Sequence, residues 1–317
     1  MSRVRTVMGD VDTDQLGVMF AHEHLLMTGG WPVLHEPDYR LDDLPAAATE
    51  LRAAAAHGLS AVVEMTPLGF GRSPRGLAQL ARETGVAIIA TTGFHKVEYY
   101  DDLHWLHRYS ADQISRLLIE EITVGMDEYG LVGPYADRTD ARAGVIKIGT
   151  RYHRLGRSIG KLIEAVGMAH QETGAPVATH NDKGTCGHEV LDALVAAGVQ
   201  ERHVVLGHID HNADPGAARR AGRPRCVPRL RPARPDQVRA GQRLGGAAGR
   251  GRRARRRRPA AAGLRDLARR SYWRSLGGGP GLDYLLRVFA PRMRAEGHAD
   301  LVDAALTVNP ARAFALR

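Results

Sequence analysis

Residues Val177–Asp210 read VATHNDKGTCGHEVLDALVAAGVQERHVVLGHID. Two short apolar runs, Val177–His180 and Val204–His208, each end on a histidine. Between them Gly184–Ala197 carries apolar residues at helical spacing. The pattern is strand, helix, strand, with each strand closed by a polar residue. It repeats outward. Toward the N-terminus come Gly144–Gly149 (GVIKIG) before the helix Ser158–Thr173, Val86–Thr92 before the helix Ser110–Tyr129, and Ser60–Met65 before the helix Pro74–Thr84. The strand Gly17–Phe20 runs into AHEH, and the helix Leu44–His57 stops at Gly58. A late helix is expected at Leu282–Glu296. Strands alternating with helices imply a parallel sheet, and runs such as VAIIA imply strands covered on both faces. An open doubly wound sheet and a (β/α)8 barrel both satisfy this pattern. No Gly-rich phosphate or dinucleotide fingerprint follows an early strand; GFGRS at Gly69–Ser73 is too short.

The chain has 317 residues, 44% hydrophobic and 25% charged, enough for one large barrel. Its apolar runs are far shorter than the ~20 residues that cross a bilayer. Met1–Val11 has no apolar signal core, and Cys186 and Cys226 cannot build a disulfide framework. A soluble, cytoplasmic globular protein is therefore expected, with no membrane partner. The formal charge of +9 is unevenly placed. Pro215–Gly263 holds 16 arginines and one acid, Asp236, a net +15 against −6 for the remainder. Arg, Ala, Gly and Pro supply 41 of its 49 residues, and no Ile, Phe, Tyr, Trp or Met occurs. Three readings compete: an Arg-rich nucleic-acid arm, an inserted linker, and out-of-frame translation of a GC-rich gene, whose GC-only codons encode these four residues. The third is favoured.

Chemistry gathers at strand ends. His22 and His24 are two apart on a strand, so their imidazoles share a side, and Glu23 points away. His180 and His208 end two further strands. In a parallel α/β fold such ends lie on one face, where sites form. Lys147 interrupts an apolar strand. A buried ammonium is costly unless paired or neutralised. An ion pair with an acid such as Glu64 satisfies this, and spacing alone favours it. A neutral amine that adds carbon dioxide to become a metal-bridging carbamate satisfies it too. Asp266 is either a metal-binding or proton-carrying carboxylate or a helix N-cap.

Together these pieces resemble the phosphotriesterase family of the amidohydrolase superfamily. The motifs are His22–His24 (HEH), GVIKIGT around Lys147, ATH at His180, LGHID at His208, DLARRSYW at Asp266, GGGPGLDYLL at Gly277–Leu286 and NPARAF at Asn309–Phe314. The resemblance implies a single (β/α)8 barrel over residues 1–317 with two divalent metal ions, zinc foremost. His22, His24 and Asp266 would hold the buried ion and His180 and His208 the other. A carboxylated Lys147 would bridge them. A bridging hydroxide would cleave an ester: a lactone, a phosphorylated sugar lactone or a phosphoester. Asp266 would take its proton. Tyr99, Lys183 and Arg269 are the candidate substrate contacts, beside His95, Lys96 and Tyr100. The resemblance also implies a near-normal length between His208 and Asp266. The basic block thus stands where the sixth helix and seventh strand belong, as out-of-frame translation would leave it. A small-molecule substrate is expected, with nucleic acid disfavoured and a homodimer admitted. The competing reading is an inactive barrel with an Arg-rich nucleic-acid-binding segment.

Overall fold

The structure, a computed structural model, describes residues 2–156, 158–212, 229–230, 261–262 and 270–316. Two antiparallel strands, β1 (Arg3–Thr6) and β2 (Gly9–Asp12), come first. Six parallel strands follow: β3 (Val18–Glu23), β4 (Leu59–Glu64), β5 (Ala87–Gly93), β6 (Ala143–Thr150), β7 (Val177–Asn181) and β8 (Val204–Gly207). They hydrogen-bond in sequence order, each to the next. A doubly wound sheet reverses its strand order at a switch point, and this sheet has none. The winding is that of a barrel wall, which removes the doubly wound alternative. Among the described residues the sheet has six strands, not eight. A separate parallel pair joins β9 (Arg229–Leu230) to β10 (Ala261–Ala262), and the β10 backbone lies close to β3. The other expectations for Pro215–Gly263 lie outside the described residues.

Alternation along the strands builds two cores. Met19, Ala21, Ala61, Val63, Ile89, Val145, Ala178 and Val205 face one way, joined by Val4, Leu16 and Phe314. Their neighbours Phe20, Val62, Ile88, Ile146, Val177 and Leu206 face the helices. Those helices include α1 (Gly30–His35), α2 (Leu44–Ala55), α3 (Pro74–Thr84), α4 (Ala111–Thr123), α5 (Ile159–Thr173) and α6 (Gly187–Ala196). The chain closes with α7 (Ala290–Ala295), α8 (Ala299–Asp303) and α9 (Asn309–Ala313). No described helix is long and apolar enough to cross a membrane.

Most element boundaries agree with the sequence reading to within two residues. Four differ. The hairpin β1–β2 precedes every expected element; its turn closes through Thr6 Oγ1 donating to the Gly9 carbonyl at 2.7 Å, with Gly9 at φ +124°. The helix expected at Ser110–Tyr129 has the anticipated capping box of Ser110 and Gln113, but ends at Thr123. There the chain turns to bond an antiparallel segment, Met126 N to Ala141 O at 2.8 Å and Thr139 N to Met126 O at 2.9 Å. Gly125 permits this, because a Cβ there would sit 1.8 Å from Thr139 O. The buried Asp127 carboxylate then holds the excursion by accepting from the amides of Tyr129, Leu131 and Asp137. The helix expected at Gly184–Ala197 starts only at Gly187, because Lys183 and Cys186 take left-handed backbone. The expected helix Leu282–Glu296 is a π turn, Leu285–Phe289, followed by α7. Pro291 has no amide to donate, so it occupies the first turn of a new helix. Pro310 stands in the same way at the start of α9, after the π turn Ala304–Val308.

Candidate active site

Four histidines from three strands meet at the C-terminal ends of the sheet. The ring centroids of His22 and His24 are 5.3 Å apart, His22 and His208 5.2 Å, and His180 and His208 4.3 Å. His22 is buried. The register of β3 against β4 shifts between Phe20 and Glu23, a bulge of the kind that re-aims side chains beside sites. His208 takes φ +64°, which turns the chain off the end of β8. Glu23 is buried, and its backbone carbonyl receives Met65 N.

Lys147 stands on β6 two residues beyond Val145, on the inward line of the strand, and is fully buried. Its ammonium donates to the Met65 carbonyl at 2.5 Å. Burial pulls its pKa down to about 7, with the Glu64 charge opposing. The desolvated amine is therefore readily neutral near pH 7. Glu64 is buried too, which pushes its carboxyl up to about 7 against hydrogen bonds from Thr66 and Leu25. The Thr66 hydroxyl donates to Glu64 Oε1 at 2.5 Å and lies 2.8 Å from His24 Nδ1. Burial, then the charge of Lys147, holds His24 well below the usual histidine range, so it is neutral.

A fifth histidine completes the ring. His95 follows β5, with its centroid 4.1 Å from His180 and 4.8 Å from Tyr99. Burial, then the nearby His180 and Lys147, holds it well below the usual histidine range. Sequence reasoning places His95 at the mouth without a role. Its signal is that of the other four, a histidine just past an apolar strand. Lys96 pairs with Asp182 at 3.0 Å and lies 4.9 Å over the Tyr99 ring. Lys183 lies 5.1 Å over the Tyr152 ring. Asp266 and Arg269 lie outside the described residues. Among those described, no group of three or more His, Cys, Asp or Glu side chains alone is placed to hold a metal ion. The donor set read from the sequence requires Lys147 and Asp266 besides the histidines. Imidazoles around a desolvated amine are of the right chemistry for divalent zinc, cobalt or manganese.

The phosphotriesterase family profile matches residues 2–220. The chain belongs to the phosphotriesterase family. Its similarity to a phospho-furanose lactonase of Mycoplasmopsis agalactiae is 37% identity over 215 residues, 67% of this chain and 61% of that protein. The matched stretch thus spans about three fifths of the relative's length. Two solved structures are similar over almost the whole chain. A lactonase from Listeria monocytogenes has 26% identity and a TM-score of 0.86, covering 100% of both chains. The phosphotriesterase homology protein from Escherichia coli, complexed with phosphate in its active site, has 28% identity and a TM-score of 0.77, covering 95% of this chain and 99% of its own. In this phosphotriesterase-family chain, the histidine ring lies where strand-end sites form in barrels.

Proposed function

We propose that the chain is a binuclear-metal hydrolase of esters, with lactones, including phosphorylated sugar lactones, as its substrates. The carrying observation is the convergence of His22, His24, His180 and His208 beside the buried Lys147. The family and its lactonase members support the ester class. In this reading His22, His24 and Asp266 hold one divalent ion, His180 and His208 the second, and a carboxylated Lys147 both. The ions, zinc foremost, supply Lewis-acid polarisation of the ester and acidify water. The chain's own residues do the rest. Thr66 and Glu64 orient His24. Asp266 accepts the proton of the attacking water. Tyr99, Lys183 and Arg269 meet the substrate. The barrel closes to eight strands, and the protein acts in the cytoplasm, with a homodimer as its assembly.

The test is metal analysis of the purified full chain together with lactone hydrolysis. We expect two metal equivalents, loss of hydrolysis on chelation, and recovery with zinc, cobalt or manganese. A chain that binds none of these metals and opens no lactone in their presence overturns the reading.

A further inference from the structure

Residues 95–109 lead from the end of β5 toward α4, and they begin at the histidine ring with His95, Lys96 and Tyr99. This first part is tied down close to the site. The Tyr100 hydroxyl receives His95 N at 2.9 Å and donates to the Leu68 carbonyl at 2.9 Å. Lys96 pairs with Asp182, and Glu98 with Arg151. Farther along, the segment stands off from its neighbour. A cavity of about 230 Å3 separates it from the start of α5, with Val97, Leu106 and His107 on one side and Ser158, Lys161 and Leu162 on the other. Val97 shares a short 3-10 turn, Val97–Tyr99, with a candidate substrate contact. The gap therefore reaches to within two residues of Tyr99.

Lys161 bridges this gap. Its Nζ donates to the carbonyls of Tyr109 at 2.7 Å, Leu106 at 2.8 Å and His107 at 3.3 Å. These carbonyls lie in and just after a second 3-10 turn, Trp105–His107. The last carbonyls of a helical turn need partners from outside it. An ammonium has three protons to donate, and three acceptors use them all. Lys161 is the third residue of α5. The positive end of the helix dipole disfavours a cation there, so the helix itself does not account for the lysine. The same turn is tied to the excursion after α4 by Trp105 Nε1, which donates to the Leu131 carbonyl at 3.1 Å. Lys161 and Trp105 thus hold it from two elements, and Lys161 is the link to α5.

We propose that Lys161 is a positioning residue for the substrate. By gathering three carbonyls onto α5 it fixes the far end of residues 95–109, and through them the places of Tyr99 and Lys96 at the site. Its bonds go to the backbone of this segment rather than to the histidine ring. Its effect therefore falls on substrate binding and not on the metal-assisted step. The inference rests on the lactonase reading above, in which Tyr99 meets the substrate, and adds the residue that keeps Tyr99 in place.

Two measurements on the metal-loaded full chain test it, each on the native protein, on Lys161→Met and on Lys161→Arg. Methionine keeps an apolar stem without donors, and arginine restores donors and charge. The first measurement is hydrolysis of one phosphorylated sugar lactone. In Lys161→Met, KM should rise about 10-fold with kcat unchanged, as expected where substrate placement is lost and the chemical step is not. Lys161→Arg should recover most of the loss. The second is limited digestion with trypsin, reading the fragment that ends at Arg108, an exposed residue between the His107 and Tyr109 carbonyls. That cut should be faster in Lys161→Met and near the native rate in Lys161→Arg. Equal cutting in all three proteins overturns the anchor. Faster cutting with an unchanged KM overturns the positioning role, as does a loss confined to kcat. If no protein opens the lactone while the cut at Arg108 is still faster in Lys161→Met, the lactonase reading falls and the anchor stands.

Discussion

His24 Nδ1 lies 2.8 Å from the Thr66 hydroxyl, whose own proton goes to Glu64 Oε1 at 2.5 Å. A hydroxyl has one proton. With it committed to the carboxylate, His24 must donate from Nδ1, and its Nε2 lone pair is left for a ligand. This is the arrangement that fixes a metal-binding tautomer from behind. Thr66→Val should therefore lower metal affinity about 10–100-fold and cost about 1–3 kcal/mol, because two buried polar groups lose their partner. Thr66→Ser should restore both. Metal titration with a competing chelator measures the first and chemical denaturation the second. Unaltered affinity in Thr66→Val would show that the hydroxyl does not orient His24.

Lys147 gives a sharper test. Its desolvated amine is available to add carbon dioxide, and nothing else on β6 can supply an anionic ligand at that position. Lys147→Ala should lower activity by at least ~100-fold, since a lost ligand should exceed the effect of a lost supporting contact. Short carboxylic acids added to Lys147→Ala should return part of the metal and the rate. Lys147→Arg should not substitute, because guanidinium stays charged. Full activity in Lys147→Ala defeats the carbamate.

The histidines were legible in the sequence for a local reason. His22, His24, His180 and His208 each close a short apolar strand, and a parallel sheet brings such ends to one face. The Thr66–Glu64 support was not legible. It depends on β3 and β4 lying side by side with a register shift, which no residue announces. Asp127 is similar: its carboxylate gathers three amides up to ten residues away, so it ends a helix that periodicity alone would extend. The π turns before α7 and α9 stand just ahead of Pro291 and Pro310, and the expected helix Leu282–Glu296 ran straight through the first of these, although a proline there is a local signal for a break.

Asp283 sets an acid limit on stability. Burial would raise its carboxyl, but hydrogen bonds from Arg274 and Arg287 outweigh this and hold it below the usual range. A carboxylate with a depressed folded pKa contributes stability fully above its unfolded value of about 3.9, and loses it as pH falls through the lower folded value. Both arginines are more than a third exposed, so screening limits the contribution to about 1–2 kcal/mol. Thermal unfolding between pH 6 and 3 should show Asp283→Asn converging on the native protein as pH drops. A constant difference across that range would reject the assignment.

Pro215–Gly263 makes a genetic prediction. Its four-residue alphabet is what GC-only codons encode, and the family profile stops at residue 220, inside it. We expect the nucleotide sequence across codons 214–266 to carry two compensating shifts. Restoring the frame should replace the arginines with apolar and aromatic residues and raise thermal stability by several kcal/mol. An unbroken frame in independently sequenced DNA would return the segment to its reading as a genuine basic arm.

The interior ion pair of Arg72 and Glu121 supplies the last prediction. Both side chains are buried, and they bond directly. Arg72 also donates to the Thr91 carbonyl at 2.7 Å, while Glu121 accepts from the Thr92 hydroxyl at 2.6 Å and from Asp127 N. The pair thus ties the loop before α3 to the end of β5, to α4 and to the excursion after it. Desolvation offsets much of the attraction, so the intact pair adds little net stability. Removing one partner is another matter, because the remaining charge stays buried. Arg72→Met should cost about 3–5 kcal/mol, and Arg72→Met with Glu121→Leu should recover most of it. Urea unfolding of the two variants decides. If the double variant is no more stable than Arg72→Met, the cost is lost packing rather than a stranded carboxylate.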